Sequence, residues 1–374
     1  TWGMVLYGFS DTAVGGDNLF TGCANGIAVG NGYGTGVRIH DMDVSGTGSG
    51  FGVFVVSGSD ILLERVLARQ RSTGIYFLYD QQGNVVSGCD CSGSQYGIAS
   101  GYGSFSSFTL SNNDVRNCTV WGMHLGGFYD TEVGGDNLLT GCANGILVSG
   151  SGVRVHDTDV SGTGSGIGVQ VHYASNIVLE RVRARQRGTG IYFRGQQQGN
   201  VASACDCSGS QYGILLEENY GEQQQGITVS GCNCSGSQYG IMSNGGDGSG
   251  RLAYKSFTLN GNDVRNCGWG MVLYSFSDTD VGSDNLFTGC VNGIAVGNGT
   301  GTGVRIHDAD VSGTGSGFGV FVVNASNITL ERVQARQRSN GIYFYEDYGT
   351  RGNQQGNVVS GCDCSCSQRG IASG

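Results

Sequence analysis

Residues 25–56 read NGIAVGNGYGTGVRIHDMDVSGTGSGFGVFVV, and the chain contains this passage three times. It returns almost letter for letter at residues 292–323 and in shortened form at residues 144–171. Repetition on this scale is typical of solenoid proteins, in which each repeat buries its apolar side against the next one. The sequence therefore indicates a repeat architecture before it indicates any activity.

A shorter period runs through the whole chain. A Gly followed by an apolar residue recurs from Gly3 to Gly370 with a mean spacing of about 24 residues. Each interval contains short runs, such as residues 37–40, in which apolar and polar residues alternate. Alternation with period 2 predicts strands, and no run of ten or more residues has the 3.6-residue period of a helix. Three short strands and three turns per interval predict one rung of a parallel β-helix.

The alternation also predicts which side chains face the core. We expect two successive rungs to stack their inward residues on one another, namely Val37, Ile39, Met42 and Val44, followed by Ile61, Leu63, Val66 and Ala68. The side chains between them, such as Arg38, are expected to face solvent because successive side chains of a strand point to opposite faces.

The recurring rung, G-I-x-V…N-x-x-V-x-x-C/N, resembles the right-handed parallel β-helix repeat family of pectin-lyase-like proteins. The resemblance covers the whole chain. It implies an all-β fold, a single-stranded right-handed parallel β-helix (a β-solenoid) of about 15–16 rungs. Because one fold serves many functions, the resemblance predicts shape and says little about activity.

The long-range organisation follows from the same repeats. No linker or change of composition divides the chain, so we expect one continuous solenoid over residues 1–374. Trp-Gly-Met triplets beginning at Trp2, Trp121 and Trp269 predict three blocks, residues 1–118, 119–267 and 268–374. The first and last residues both fall inside standard rungs. We therefore expect the chain to continue in a longer array or to stack head to tail on a second copy of itself.

The composition argues against several structural classes and binding partners. The chain has 71 glycines without a Gly-X-Y period and no proline, which excludes collagen and favours a backbone whose N–H groups are needed in ladders. The formal charge of −10 is dispersed, which argues against nucleic acid and anionic membranes as partners. No apolar run is long enough to span a membrane. No motif predicts a cofactor or a metal site.

Cysteine usage favours an extracellular or cell-surface location. The 14 cysteines include C-x-C pairs, a spacing that does not fit a zinc site. Asn-X-Ser/Thr sequons, which mark candidate glycosylation sites, occur at Asn117, Asn233, Asn298, Asn324 and Asn327. Asn/Ser-rich chains also produce such sequons by chance.

Two groups of cysteines are predicted to lie on neighbouring rungs. Inward cysteines align in ladders, for which buried thiols and cross-rung disulfides both fit, at Cys89, Cys91, Cys205, Cys207, Cys232 and Cys234. A second group occupies the turn before a rung-opening Gly. Because stacked turn positions lie within the Cα separation that a disulfide needs, we predict the bridges Cys118–Cys142 and Cys267–Cys290.

One cluster has the residue types of acid–base catalysis. It contains Arg38, His40, Asp41 and Asp43, with Glu64, Arg65, Arg69 and Arg71 on the following rung. The cluster recurs at Arg154, His156, Asp157, Asp159, Glu180 and Arg181, and again at Arg305, His307, Asp308, Asp310, Glu331 and Arg332. Three equal copies favour duplication of an outward strand face, with Asp41 beside Arg65 and His40 beside Glu64. No residue is therefore assigned a catalytic role.

Residues that do not repeat lie in loops between the first and second strands of a rung. They are Glu217, Glu218, Tyr220, Glu222, Asp247, Arg251, Tyr254, Lys255, Tyr345, Glu346, Asp347, Tyr348 and Arg351. Loops on one side of a solenoid are common binding surfaces, and carboxylates beside tyrosines suit a sugar. Solvated insertions without a function fit the same residues.

These observations favour a structural surface protein, such as a filament, a sheath or the shaft of an adhesin. Its expected partner is itself. A polysaccharide lyase or epimerase of the β-helix class and a passive glycan-binding module are the alternatives.

Overall fold

The structure, a computed structural model, describes residues 1–30, 35–218, 222–244, 253–297, 302–346 and 354–374. The described residues form strands and turns and no helix, so none of them forms a helix able to cross a membrane. The chain divides into two compact units, Thr1–Ala184 and Arg185–Gly374, called unit 1 and unit 2. The three blocks predicted from the sequence stay a prediction.

Unit 1 consists of short strands that follow one another at the spacing of the repeat. In chain order they are β1 Trp2–Tyr7, β2 Ala13–Val14, β3 Asn25–Gly30, β4 Arg38–Asp43, β5 Phe51–Val56, β6 Leu62–Leu67, β7 Thr73–Leu78, β8 Gln81–Gln82, β9 Val85–Ser87, β10 Tyr96–Ser100, β11 Phe105–Ser106, β12 Thr109–Ser111, β13 Trp121–Tyr129, β14 Glu132–Gly134, β15 Asn144–Ser151, β16 Arg154–His156, β17 Ile167–Ser175 and β18 Val178–Glu180.

Each strand of unit 1 pairs in parallel with the equivalent strand of the next rung. The first strands of the rungs form one ladder through β1, β3, β5, β7, β10, β13, β15 and β17. The second strands form another through β2, β4, β6, β9, β12, β14, β16 and β18. The predicted parallel β-solenoid is confirmed.

Unit 2 has the same organisation. Its strands among the described residues are β19 Thr189–Gln198, β20 Val201–Ser203, β21 Tyr212–Glu217, β22 Gln224–Gln225, β23 Thr228–Ser230, β24 Tyr239–Asn244, β25 Tyr254–Lys255, β26 Thr258–Asn260, β27 Trp269–Tyr274, β28 Phe276–Val281, β29 Asn292–Gly297, β30 Thr302–His307, β31 Phe318–Val323, β32 Thr329–Glu331, β33 Asn340–Tyr345, β34 Val358–Ser360 and β35 Arg369–Ser373. First strands again pair in parallel with first strands and second strands with second strands.

The core is a stack of in-register apolar side chains. Ile39 lies opposite Leu63, and Met42 lies opposite Val66. All eight residues predicted to face inward on these two rungs are at most 2% exposed. The inward and outward faces of this part of unit 1 therefore match the prediction.

The third strand of the rung is shorter than expected. In most rungs it is a single paired residue, as at Asp90 and Asp114, rather than a strand. At Asp90 a turn follows directly, because the Oδ1 of Asp90 accepts the backbone N–H of Ser92 at 3.0 Å. Such an Asx turn diverts the backbone from the ladder.

Candidate functional site

The cluster around His40 lies on the outward face of β4 and β6. Asp41 has a φ of 52° at the corner of the rung, which turns its carboxylate towards the next rung. There its two oxygens accept the Nε and Nη2 hydrogens of Arg65 at 2.6 and 2.8 Å. The Nδ1 of His40 donates to Asp41 at 2.7 Å. The predicted pairing of Asp41 with Arg65 is confirmed.

The carboxylate of Glu64 also forms an ion pair with an arginine. Although Glu64 lies opposite His40 in the ladder, its Oε2 accepts hydrogen bonds from Nε and Nη2 of Arg38 at 2.9 and 2.5 Å. His40 lies beside Glu64, as predicted, but its Nδ1 hydrogen-bonds to Asp41. Arg38 takes this place because its charged guanidinium directs two N–H donors at the same oxygen of Glu64.

The second and third copies repeat this geometry. Arg181 binds Asp157 at 2.7 Å, and Arg332 binds Asp308 at 2.6 and 2.8 Å. In each copy the histidine donates from Nδ1 to the neighbouring aspartate at 2.7 Å. The copies differ at the other ring nitrogen, which lies 2.6 Å from Glu132 in the second copy and 3.4 Å from Asp280 in the third.

These contacts make the aspartates poor general bases. Hydrogen bonds from Arg65 and then from His40 hold the pKa of Asp41 well below its usual range. The same two kinds of partner lower the pKa of Asp157 and of Asp308. General base catalysis is most effective when the pKa of the base lies near the working pH. The clusters therefore have the residue types of a catalytic site and the electrostatics of structural ion pairs.

Arg71 does not belong to the outward cluster in which the sequence grouped it. It is 2% exposed, and its guanidinium donates to the carbonyls of Cys23, Ala24, Val44 and Ser45 at 2.6–3.2 Å. Arg338 holds the equivalent place in unit 2. Each arginine is the last residue of the motif A-R-Q-R, which recurs one rung after each Ser-Gly-Thr-Gly-Ser-Gly loop.

The structure describes only some of the loop residues that were predicted to form a binding surface. Glu217 ends β21, where burial raises the pKa of its carboxyl, and Glu218 follows it. Glu222 is half-buried. Tyr345 ends β33 and is 39% exposed, and Glu346 follows it on the surface. Six of the proposed loop residues lie outside the described residues, namely Tyr220, Asp247, Arg251, Asp347, Tyr348 and Arg351.

Tyr254 corrects the sequence prediction, because it is a core residue and not a surface ligand. It is fully buried, its ring stacks on Phe276 at 4.8 Å, and its hydroxyl donates to the carbonyl of Leu216 at 3.0 Å. The strand β25 places it directly opposite Phe276 and so turns it inward. Its neighbour Lys255 is on the surface, 3.9 Å from Asp278.

An outward column of aromatic rings is a feature that the sequence analysis did not single out. In unit 1 the rings of Phe51, Phe54 and Tyr76 lie 5.0–5.8 Å apart with interplanar angles of 9–26°. Phe318 and Phe321 form a similar stack in unit 2 at 4.7 Å. Because the ring faces cover one another along the ladder, they stabilise the stacking of rungs as cross-strand pairs do.

A comparison with protein families assigns the chain. The model of the family described as periplasmic copper-binding protein (NosD) matches residues 10–169 and 135–308, which together cover most of the chain. The chain belongs to the NosD family. The predicted resemblance to β-helix repeat proteins is confirmed. No curated protein matches the sequence.

Solved structures of β-helix proteins are similar to this NosD-family chain at low identity. The A-module of Azotobacter vinelandii mannuronan C-5 epimerase AlgE4 is 13% identical, with a TM-score of 0.43 over 92% of this chain and 88% of that one. The A-module of AlgE6 from the same organism is 14% identical, with a TM-score of 0.41 over 90% of each chain. Endopolygalacturonase I from Stereum purpureum is 13% identical, with a TM-score of 0.24 over 96% of this chain and 99% of that one.

The cysteines of this NosD-family chain form no disulfide in the structure, and ten of the fourteen are buried. Burial raises the pKa of Cys89 to about 12, and it also raises the pKa of Cys91 well above its usual value. Cys118 and Cys142 lie on neighbouring rungs, where the N–H of Cys118 donates to the Sγ of Cys142 at 3.3 Å. The structure therefore places the two residues side by side, and the predicted bridge stays a prediction.

We expect Cys118–Cys142 and Cys267–Cys290 to form disulfides when the chain is produced in an oxidising compartment. Each would close a loop of 23–24 residues, which the chain-entropy model values at about 3 kcal/mol. Mass spectrometry of unreduced peptides, after alkylation of the unfolded chain, checks the pairing. A Cys118→Ser variant serves as the control, because it should free Cys142 alone. Alkylation of all four cysteines in the unreduced wild-type chain would contradict the prediction.

The candidate glycosylation sites differ in access. Asn117 and Asn327 are exposed, and Asn233 is half-buried. Asn324 is 6% exposed, so its side chain is not an accessible acceptor in the folded chain, which corrects the sequence prediction for this residue. Asn298 lies outside the described residues.

Proposed function

We propose that the chain is a non-catalytic β-solenoid that works outside the cytoplasm as a structural scaffold. The observation that carries this proposal is that the three His-Asp-Arg clusters share one geometry and have their aspartates bound by arginine. A β-helix enzyme needs one groove with a distinct set of groups, at least one of them with a pKa suited to proton transfer. The family description as periplasmic supports a location outside the cytoplasm, and a cell-surface location is the finer proposal.

Copper binding, which the family description names, is not extended to this chain. Within the described residues, no three His, Cys, Asp or Glu side chains are close enough to hold a metal ion together. The histidines of the clusters are hydrogen-bonded to carboxylates that are themselves bound by arginine. The buried thiols Cys89, Cys207 and Cys232 have raised pKa values, whereas a metal ligand is the thiolate. The described His, Cys, Asp and Glu side chains therefore do not fit a copper site.

A glycan-binding role is the second candidate function. It is favoured by exposed tyrosines on neighbouring rungs of unit 1, because Tyr79 is 54% exposed and Tyr102 is 86% exposed. The backbone N–H of Tyr79 donates to the carbonyl of Tyr102 at 2.6 Å, so the two residues are held side by side. Exposed aromatic side chains with a polar tip are suited to surface recognition.

Self-association remains part of the proposal. It rests on the repeat itself, because the rungs of a solenoid stack on one another and a heterologous contact between copies does not close.

One set of samples tests these roles. We expect no unsaturated product when the chain is incubated with uronate-containing polysaccharides, with or without calcium. We also expect the average mass measured by light scattering to rise with protein concentration. Turnover that is abolished by Asp41→Ala or Asp308→Ala would overturn the proposal. Polysaccharide co-sedimentation that is lost in Tyr102→Ala would replace the scaffold role with the glycan-binding role. A monodisperse monomer at all concentrations would contradict self-association.

A further inference from the structure

A cleft of about 480 Å³ opens on the surface of unit 2 where three successive rungs lie side by side. Its lining comes from the loop of residues 312–317, from the turn one rung later and from the turn after that. The polar groups that line it are Thr314, Ser316, Gln337, Arg338, Ser339 and Gln368. No lining residue carries a carboxylate, and Arg338 is the charged residue among them.

Arg338 brings a positive charge to this cleft that no ion pair among the described residues pairs directly, and Asp310, which acts on it through space, does not line the cleft. The residue is 1% exposed, and its Nε and Nη1 donate to the carbonyls of Val311, Cys290 and Val291 at 2.7–2.9 Å. The carbonyl oxygens accept these hydrogen bonds, but their dipoles do not neutralise the full positive charge of the guanidinium. Buried charges in proteins are normally paired. The guanidinium therefore favours an anion in the adjoining cleft.

One nitrogen of Arg338 also retains donor capacity. Its Nη2 lies 3.4 Å from the carbonyl of Ser312, a long contact. In unit 1 the equivalent Nη2 of Arg71 is 2.6 Å from the carbonyl of Val44 and 3.2 Å from that of Ser45. The two arginines have the same surroundings in sequence, but the guanidinium of unit 2 has the weaker acceptors.

The glycine-rich loop adds backbone donors beside the guanidinium. A Cβ at Gly313 would lie 2.8 Å from the guanidinium carbon of Arg338, so the loop rests directly on the arginine. In the described part of the chain, the backbone N–H groups of Thr314, Gly315 and Ser316 have no acceptor. Several N–H groups beside a guanidinium, with hydroxyls near by, are a common arrangement for binding oxyanions.

We propose that this cleft of unit 2 binds a tetrahedral oxyanion, phosphate or sulfate, either free or as a substituent on a larger molecule. Arg338 supplies the charge. The loop of residues 312–317 supplies backbone N–H donors, and the serine, threonine and glutamine side chains supply neutral donors. The site does not use the His307, Asp308 and Arg332 ion pairs and does not rest on the scaffold role.

Thermal unfolding in the presence of anions tests the site. We expect sodium phosphate or sodium sulfate to raise the unfolding midpoint in a saturable way beyond the effect of sodium chloride at the same ionic strength. The variant Gln337→Glu places a carboxylate in the lining without touching the hydrogen bonds of Arg338. Because like charges in contact repel, we expect it to weaken the apparent affinity for the anion about tenfold or more.

Gln70→Glu is the matched control. Gln70 lies beside Arg71 in unit 1 at the place that Gln337 takes in unit 2, and the two have φ angles of 56° and 57°. Phosphate and sulfate also stabilise proteins by exclusion from their surfaces, an effect that both variants keep. The difference between the two variants therefore isolates the cleft.

The outcomes separate the sources of the anion. A shift with the inorganic ions supports a free anion. A shift only with a sulfated oligosaccharide, and not with its desulfated form, supports a substituent. An equal midpoint shift in Gln337→Glu and Gln70→Glu, or no shift with either kind of probe, would overturn the proposal.

Discussion

Replacement of Ile39 by aspartate is expected to unfold the rungs around β4, because Ile39 is fully buried between Leu63 and the preceding rung. The change removes a core side chain and introduces a carboxylate that has no partner there. An unpaired buried charge and a lost core side chain together cost more than about 4 kcal/mol. Urea unfolding followed by circular dichroism measures the loss as a lower midpoint.

Arg38→Ala is the matched control, since Arg38 precedes Ile39 and its side chain is 45% exposed. It loses a surface ion pair with Glu64, and such pairs contribute about 0–1 kcal/mol. We expect its free energy of unfolding to stay within about 0.5 kcal/mol of that of the wild type, so that the urea midpoint hardly changes. Similar midpoints for the two variants would show that the inward and outward faces of β4 are assigned wrongly.

The repeat period and the alternation of residues were enough to predict the solenoid and its inward face. The inward residues between Val37 and Val44 and between Ile61 and Ala68 are buried as expected, because stacking leaves a period-2 strand no other way to cover its apolar side. The length of the third strand was not predictable from alternation. The same aspartate turn follows Asp43, which ends the longer strand β4, and Asp90, which is a single paired residue, so the turn residue alone does not set the length.

The candidate clusters were predicted in part. Asp41 and Arg65 occupy the same corner of neighbouring rungs, so their spacing of one period predicted their ion pair. The choice of Arg38 rather than His40 as the partner of Glu64 depends on side-chain reach, which the spacing does not give. Arg71 was placed outside because a charged residue in a repeat is normally solvated. Only the arrangement of carbonyls around it explains its burial.

The similarity of the three copies of the cluster favours a structural role over a catalytic one. Duplication preserves an ion pair on an outward face at little cost, because each copy depends only on the adjacent rung. Catalysis instead requires one site in which at least one group is left with an unusual environment. Among the described residues, the buried arginines and thiols do have unusual environments, but none of them takes part in the His-Asp-Arg ion pairs.

Arg71→Met is expected to destabilise unit 1 strongly. The guanidinium donates five hydrogen bonds to four carbonyls on two earlier rungs, and methionine fills much of its volume without any donor. Removal of a buried charge relieves its desolvation, which opposes this loss. Hydrogen bonds from a charged donor contribute about 1.5–3 kcal/mol each, so the lost hydrogen bonds outweigh that relief. We expect a net loss of about 3 kcal/mol, measured as a lower urea midpoint.

Arg69→Met provides the control for this change, because the same substitution is made two residues earlier on the surface. The side chain of Arg69 is 43% exposed, and its nearest carboxylate oxygens are 3.8 and 4.0 Å away. Its loss should cost no more than about 0.5 kcal/mol. Arg71→Lys should fall between the two variants, since lysine keeps the charge but cannot reach carbonyls on both sides of the loop. Equal midpoints for Arg71→Met and Arg69→Met would show that desolvation cancels the hydrogen bonds. In that case the buried arginines would not hold the rungs together.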